Sequence, residues 1–306
     1  MRIKLGYELV FDVPAPTPMV LMLYLHPSRW ADAVRPDNLL TEPAVPIQTY
    51  LDPFGNRCGR VVAPAGKFRI HNDLIVRDSG LADPVTPDAI QHPVDELPVD
   101  VMQFLLASRY CEVDKMVPLA WELFGKTRPG WERVQAICDW AHERITFNYQ
   151  DADSTRTACG AYEQRKGVCR DYMHLAITMC RAMNIPARYC TGYLGDIGIP
   201  PAPYPMDFSA WFEAYLGGKW HTFDARHNVP RIGRVLMARG RDAVDVALTT
   251  SFGDTKLEKF LVWTDEVVED RAAQAQDAVD DEVQASPVSV YPAILADGPQ
   301  NTHVFL

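Results

Sequence analysis

Residues 167–184, with the sequence GVCRDYMHLAITMCRAMN, constrain the fold of this chain more than any other stretch. After Gly167 there is no further glycine and no proline, a composition that predicts a helix of about four turns. On a helical wheel most of the circumference is apolar, and the polar edge consists of Arg170, Asp171, His174, Thr178 and Arg181. A helix of this kind is buried in the centre of a domain. The sequence therefore predicts a central helix that begins at Cys169.

Cys169 at a helix start is a candidate nucleophile. Unpaired backbone N–H groups and the positive end of the helix dipole stabilise a thiolate, so we expect a lowered thiol pKa and a sulfur that faces a solvent-accessible cleft. The alternative is a small buried side chain with a purely structural role, which is common for free cysteines.

A predicted β-hairpin at residues 206–228 supplies polar positions that can face this cysteine. Gly217 and Gly218 form the turn between two alternating, aromatic-rich runs, so Leu216 is expected to pair with Lys219. In this register Ser209 and Asp224 are diagonal neighbours on one surface of the hairpin.

Four sequence segments now occur in a specific order between about residues 140 and 230, namely GVCRDYMHL, NIPARYCTGY, SAWFEAYLGGKW and TFDARHN. In order and spacing they resemble the bacterial transglutaminase-like cysteine protease superfamily. The resemblance implies an α+β fold with a papain- and transglutaminase-like core, in which a central helix packs against an antiparallel sheet. It also implies Cys169 as the nucleophile and Asp224 as the carboxylate that orients the base.

The chain departs from the family pattern at the base itself, because Ser209 stands where the family has a histidine. A serine hydroxyl cannot accept a thiol proton near neutral pH, so we expect impaired catalysis unless another imidazole substitutes. His227 is the best substitute, since His174 and His221 are predicted to face away. Without an imidazole, Asp224 would most simply bind Ser209 or a backbone N–H and have a structural role. Gln164 is a candidate oxyanion donor, with a simple exposed loop residue as the alternative.

The rest of the chain suggests how the domains are arranged. Residues 1–82 read as an all-β domain, a small sandwich or open barrel, with strands expected over residues 2–11, 19–26 and 67–77. A proline-rich linker is predicted over 83–99 and the transglutaminase-like core over 100–264. An acidic tail is predicted over 265–306, with a marginal helix over 265–282 followed by an extended or poorly ordered segment. Within the core we expect helices near residues 100–109, 114–124 and 131–145, a polar loop over 148–165, and strands at 243–252 and 257–264 that complete the core sheet.

Composition narrows the classes of partner. The net charge of −10 disfavours nucleic-acid and membrane partners, and the N-terminus alternates like a strand and does not form a signal-peptide core. We therefore expect a cytoplasmic protein. The seven cysteines lack C-x-x-C spacing, so no disulfide framework, metal site or organic cofactor is predicted.

Two functions follow from the sequence. The first is a cysteine-dependent protease, amidase or acyltransferase that acts on peptide or protein amide bonds. The second is a catalytically inactive peptide- or protein-binding module on the same fold. The sequence does not distinguish hydrolysis from acyl transfer, and it does not fix the substrate or the oligomeric state.

Overall fold

The computed structural model describes residues 1–202, 205–267, 294–296 and 302–305. Its α-helices are α1 (Val113–Phe124), α2 (Trp131–Arg144), α3 (Ala158–Gln164) and α4 (Cys169–Ala182). Its strands, in chain order, are β1 (Arg2–Val13), β2 (Thr17–Leu21), β3 (Leu40–Glu42), β4 (Gln48–Leu51), β5 (Arg57–Ala63), β6 (Gly66–Arg77), β7 (Thr146–Phe147), β8 (Lys166–Gly167), β9 (Ala187–Tyr193), β10 (Ser209–Leu216), β11 (Lys219–Phe223), β12 (Val235–Gly240), β13 (Thr249–Ser251), β14 (Lys256–Glu266), β15 (Ile294–Ala296) and β16 (Thr302–Phe305). Short 3-10 helices lie at Pro27–Asp32, Val94–Glu96, Val99–Leu105, Tyr149–Asp151 and Ala243–Val246.

The N-terminal region is all-β, as predicted, and consists of two open antiparallel sheets. One sheet has the strand order β14-β1-β6-β3, and the other has the order β15-β16-β13-β2-β5-β4. Alternate residues of β1 are fully buried, as the period-2 pattern of its sequence requires. Buried side chains of both sheets belong to one hydrophobic cluster, which corresponds to a sandwich and not to a barrel.

The C-terminal strands belong to these two sheets, which corrects the prediction that residues 243–252 and 257–264 complete the core sheet. β14 pairs with β1 over nearly its whole length, and β13 pairs with β2. β16 then pairs with β13, and Val304 on β16 is buried. The last residues of the predicted acidic tail thus enter the second sheet, whereas most of the helix expected near 265–282 lies outside the described residues.

The core is a four-stranded antiparallel sheet in the order β11-β10-β9-β12, with α4 packed on β9 and β10. The other helices pack on the remaining sides of α4. All fourteen residues of α4 are buried, so the predicted central helix is confirmed. This arrangement is the predicted α+β core of a helix against an antiparallel sheet.

The polar edge of α4 is also buried, and the surrounding backbone satisfies much of it. Arg181 donates to the carbonyl oxygens of Ala187 and Leu106, and His174 accepts the N–H of Ala243 at 3.1 Å. The predicted loop over 148–165 is partly helical, because Thr157 caps α3 by accepting the N–H of Gly160. Within the described residues, no helix is long and apolar enough to cross a membrane.

Candidate active site

Cys169 is the first residue of α4, held there by a tight turn. The carboxylate of Asp171 accepts the N–H of Val168 at 2.8 Å, which satisfies one of the open donors of the first turn. The same oxygen of Asp171 binds Arg156 at 3.1 Å. A Cβ at position 167 would lie 2.3 Å from this carboxylate, so only glycine fits immediately before the helix. Glycine, cysteine and aspartate therefore act together to place the sulfur.

The sulfur of Cys169 is less accessible than the sequence suggested. The residue is 5% exposed, and burial raises the pKa of its thiol from an ordinary value of 9.0 to about 11. The charge of Arg226 and the backbone of Ala210, at the start of β10, favour the thiolate but do not outweigh burial. The expected lowered pKa and solvent-facing sulfur are thus wrong, because desolvation of the thiolate outweighs the groups that stabilise it. The thiol is protonated at neutral pH.

The hairpin register agrees with the prediction. Leu216 pairs with Lys219, and the ladder continues to the pair of Phe212 and Phe223. Asp224 follows immediately after the last paired residue. Ser209 begins β10 and pairs with Gly192 of β9. The Oγ atom of Ser209 is buried without a hydrogen-bond partner, so Ser209 does not bind Asp224.

Asp224 instead has an imidazole partner, which is His227. The Nδ1 atom of His227 lies 2.8 Å from Oδ2 of Asp224, and Oδ1 of Asp224 accepts the backbone N–H groups of Arg226 and His227 at 3.0 Å. Burial alone would raise the pKa of Asp224, but Arg234 and the His227 hydrogen bonds hold it well below its ordinary range. An ionised carboxylate only accepts, so Nδ1 of His227 donates the proton of this hydrogen bond, and Nε2 is the ring nitrogen left for other contacts.

The other two candidate histidines, His174 and His221, pack in the interior and have structural roles. His174 is fully buried between the rings of Tyr110 and Tyr189, and burial together with nearby arginines lowers its pKa well below the ordinary value. His221 lies on the face that packs against α2, where its ring contacts Trp131 at a centroid distance of 5.5 Å. Neither is a partner of Asp224, in agreement with the predicted directions.

A pocket of about 60 Å³ opens beside this cluster, and Ser209 and His227 both line it. Sequence reasoning missed the charged residues of its wall, which include Asp207 and Arg226. Both are charge neighbours of the Cys169 thiol, although Cys169 itself is not in the pocket wall. Asp207 precedes β10 and Arg226 follows the last paired residue of the hairpin, so the alternation of the two strands does not extend to either residue.

Gln164 is the last residue of α3 and is exposed. Its side-chain oxygen accepts a hydrogen bond from Nε of Arg156 at 3.0 Å, and Arg156 in turn binds Asp171. The amide of Gln164 is therefore connected to the start of α4. Its role as an oxyanion donor stays a prediction.

Comparison with known proteins agrees with this description. A family model for the transglutaminase-like superfamily matches residues 119–225. The whole chain aligns with 98% of a candidate cysteine protease from Cytophaga hutchinsonii of known structure, at 29% identity and a TM-score of 0.73. An uncharacterized protein of Mycobacterium leprae is 25% identical over 220 residues, which cover 68% of this chain and 76% of that protein.

Proposed function

Because the chain is a member of the transglutaminase-like superfamily, we propose that it is a cysteine-dependent enzyme acting on peptide or protein amides. Cys169 is the nucleophile, His227 the base and Asp224 the residue that orients the base. The observation that carries the proposal is the 2.8 Å contact between Nδ1 of His227 and Oδ2 of Asp224. This contact places an imidazole beside the carboxylate in a chain that has Ser209 where the family has its histidine.

The proposed reaction uses Cys169, His227 and Asp224 in turn. A protonated thiol needs a base, and Nε2 of His227 accepts the Sγ proton as the sulfur attacks the amide carbonyl carbon. The C–S bond forms and the carbonyl electron pair moves to oxygen. When the oxyanion collapses, the C–N bond breaks and His227 donates its proton to the departing amine. Water or a second amine then attacks the thioester, again with His227 as base. The C–S bond breaks, the acid or the new amide is released, and His227 returns its proton to the sulfur to regenerate the Cys169 thiol.

The small side chain at position 209 supports this assignment. Ser209 and His227 line the same pocket, and the Ser209 hydroxyl makes no hydrogen bond. A histidine at 209 would add an imidazole to a pocket that already holds one. We therefore propose that His227 reaches from the end of the hairpin to perform the role that position 209 has elsewhere in the family.

The test uses p-nitrophenyl acetate, which acylates an activated thiol without any peptide specificity, followed by labelled casein as a protein substrate. We expect Cys169→Ser and His227→Gln each to lower both activities by roughly 100-fold or more. Cys159→Ser is the matched control, since Cys159 is a partly exposed free thiol whose pKa burial also raises, to about 12. Full activity in His227→Gln would contradict the assignment of the base.

A second variant separates a relocated base from a decayed site. If His227 is the base, Ser209→His adds bulk and does not raise the rate of acylation. If the site has lost its base, Ser209→His restores it, and the rate rises by about 100-fold or more. That second result would reject His227.

The buried sulfur favours one other candidate function, a peptide-binding module that performs no chemistry. The observation for it is the 5% exposure of Cys169 together with a thiol pKa of about 11. In that case p-nitrophenyl acetate labels Cys169 no faster than Cys159, and Cys169→Ala leaves binding of casein peptides unchanged. A cytoplasmic location, the lack of nucleic-acid and membrane partners, and the choice between hydrolysis and transfer stay predictions.

A further inference from the structure

Asp83 and Arg234 form a chain of contacts that ends at the His227–Asp224 pair. The carboxylate of Asp83 accepts a hydrogen bond from Nε of Arg234 at 2.8 Å. The other end of the same guanidinium donates to Oδ2 of Asp224, also at 2.8 Å. That oxygen is the one that Nδ1 of His227 contacts. The side chains of Arg234 and Asp224 are 7% and 2% exposed, so solvent screens this chain of charges weakly.

We propose that Asp83 and Arg234 are positioning residues that set the basicity of His227 through the shared oxygen of Asp224. This inference rests on the proposed role of His227 as the base. Neither residue lies in the pocket that Ser209 and His227 line. Asp83 stands at the beginning of the predicted linker, about 140 residues before the imidazole in the sequence.

The anchoring of Asp83 is specific. Its carboxylate also accepts the N–H of Arg231 at 2.9 Å, and its own N–H donates to the Arg231 carbonyl at 2.9 Å. An isolated β-bridge between Ala82 and Ile232 joins the same two segments. The guanidinium of Arg234 lies 5.3 Å from the centre of the Trp211 ring, which fixes its plane. The linker is thus fastened to the segment that carries Arg234.

The charges alternate along this series of contacts, from negative Asp83 to positive Arg234 to negative Asp224. This order determines whether each residue raises or lowers the basicity of the His227 imidazole. The positive charge of Arg234 partly offsets the negative charge of the Asp224 oxygen that Nδ1 of His227 contacts, so Arg234 makes the imidazole less basic. Asp83 partly neutralises Arg234, so it makes the imidazole more basic. The other charged groups near the pair are Arg226, Arg231, Asp196 and Asp207 around the pocket and Asp139 on α2.

The two effects have opposite signs, and this provides the test. The His227 imidazole is titrated by nitrogen-15 NMR in the full chain, with its signal identified by its absence from His227→Gln. We expect Arg234→Gln to raise the pKa of His227 and Asp83→Asn to lower it, each by about 0.5 unit or more. Asparagine retains an oxygen for both hydrogen bonds of Asp83, so that variant changes charge alone.

The control is Glu213→Gln, which removes the charge of another partly buried carboxylate on β10 that binds an arginine, Arg188, at 2.6 Å. It is expected to leave the His227 titration unchanged. Shifts of equal sign in the two variants, or no shift in Asp83→Asn, would overturn the inference. If Arg234→Gln does not fold, the downward shift in Asp83→Asn decides the matter alone.

Kinetics separate this inference from the proposed function. If the enzyme is active, Asp83→Asn is expected to lower kcat about three- to tenfold with KM unchanged, and to move the acid limb of the pH profile to lower pH. If the chain has no activity but the NMR shifts have opposite signs, the coupling stands and the proposed function fails. If the chain is active but the shifts have equal sign, the proposed function stands and the coupling fails.

Discussion

At the scale of single residues, Asp207 has a carboxylate oxygen without a hydrogen-bond partner in the wall of the pocket. Its Oδ1 atom is buried without a partner, although part of the residue reaches solvent. Burial raises the pKa of the carboxyl to about 7, against the opposing effects of the Phe208 backbone and the charge of Arg226. The carboxyl therefore ionises in the folded protein at the expense of stability.

We predict that Asp207→Asn stabilises the protein at high pH only. Between 3.8 and about 7 the folded chain retains a proton that the unfolded chain has lost, so the contribution of Asp207 to stability falls as pH rises through this range. Asparagine does not ionise, and we expect it to raise the free energy of unfolding by on the order of 1 to 3 kcal/mol at about pH 8, with little change near pH 4.

Urea unfolding at the two pH values measures the effect. The control is Asp254→Asn, which replaces an exposed carboxylate. This variant is expected to change the free energy of unfolding by the same small amount at both pH values. A gain for Asp207→Asn that is equal near pH 4 and near pH 8 would show that ionisation is not its cause.

The site residues also show which structural features could be predicted from the sequence. Gly167, Cys169 and Asp171 are close in the chain, so local patterns predicted the helix start, and the turn glycines predicted the hairpin register. The direction of His227 could not be predicted, because it follows the last paired residue, where alternation no longer applies. The sign of the Cys169 pKa shift was missed because it depends on how the rest of the chain covers the sulfur, which no local pattern encodes.

At the scale of elements, the turn after β11 holds His227 and is fastened to α2. Asn228 adopts a left-handed backbone with φ of 53°, a conformation that asparagine tolerates better than most residues. Its side chain donates to Asp139 at 2.8 Å and accepts from Gln135 at 2.9 Å. The position of the imidazole therefore depends on a helix that contributes no side chain to the pocket that His227 lines.

We predict a graded loss of stability at this turn. Asn228→Gly keeps the left-handed backbone but loses both side-chain hydrogen bonds, at roughly 1 kcal/mol in total for partly exposed groups. Asn228→Ala loses the same bonds and adds the strain of a left-handed alanine, about 1 kcal/mol more. Thermal unfolding should rank wild type above glycine above alanine. An alanine variant as stable as the glycine variant would mean that the turn relaxes to another conformation.

The strands show a similar division between what was predictable and what was not. The alternation of apolar and polar residues identified β1, β6 and β14 as strands, because one face of each strand is buried against the interior of the protein. It could not identify the partner of β14, because a period of two determines the buried face and not the neighbouring strand. The pairing of Leu5 with Thr264 joins positions more than 250 residues apart, and no turn fixes that register.

At the scale of the whole molecule, the sandwich and the core share one interior. Phe208, between Asp207 and Ser209, contacts the ring of Tyr7 on β1 at 6.0 Å, Tyr193 on β9 at 5.0 Å and Phe260 on β14 at 6.0 Å between centroids. A backbone hydrogen bond also joins His26, just after the β2 segment, to Leu236 on β12 of the core. The sandwich therefore packs against the segment that leads into β10 and carries the pocket residues Asp207 and Ser209.

We predict that the segment 100–264, expected from the sequence to be the core domain, does not fold cooperatively when expressed alone. It contains β13 and most of β14 without their partners β2 and β1, so two strands would present unpaired edges to water. Phe208 would also lose Tyr7, and the shared hydrophobic cluster would be cut open. Calorimetry of the fragment should show no sharp transition, whereas the full chain unfolds as one unit. A fragment that unfolds sharply near the full-chain midpoint would mean that the two regions are energetically separate, and that the sandwich does not hold the pocket strand in place.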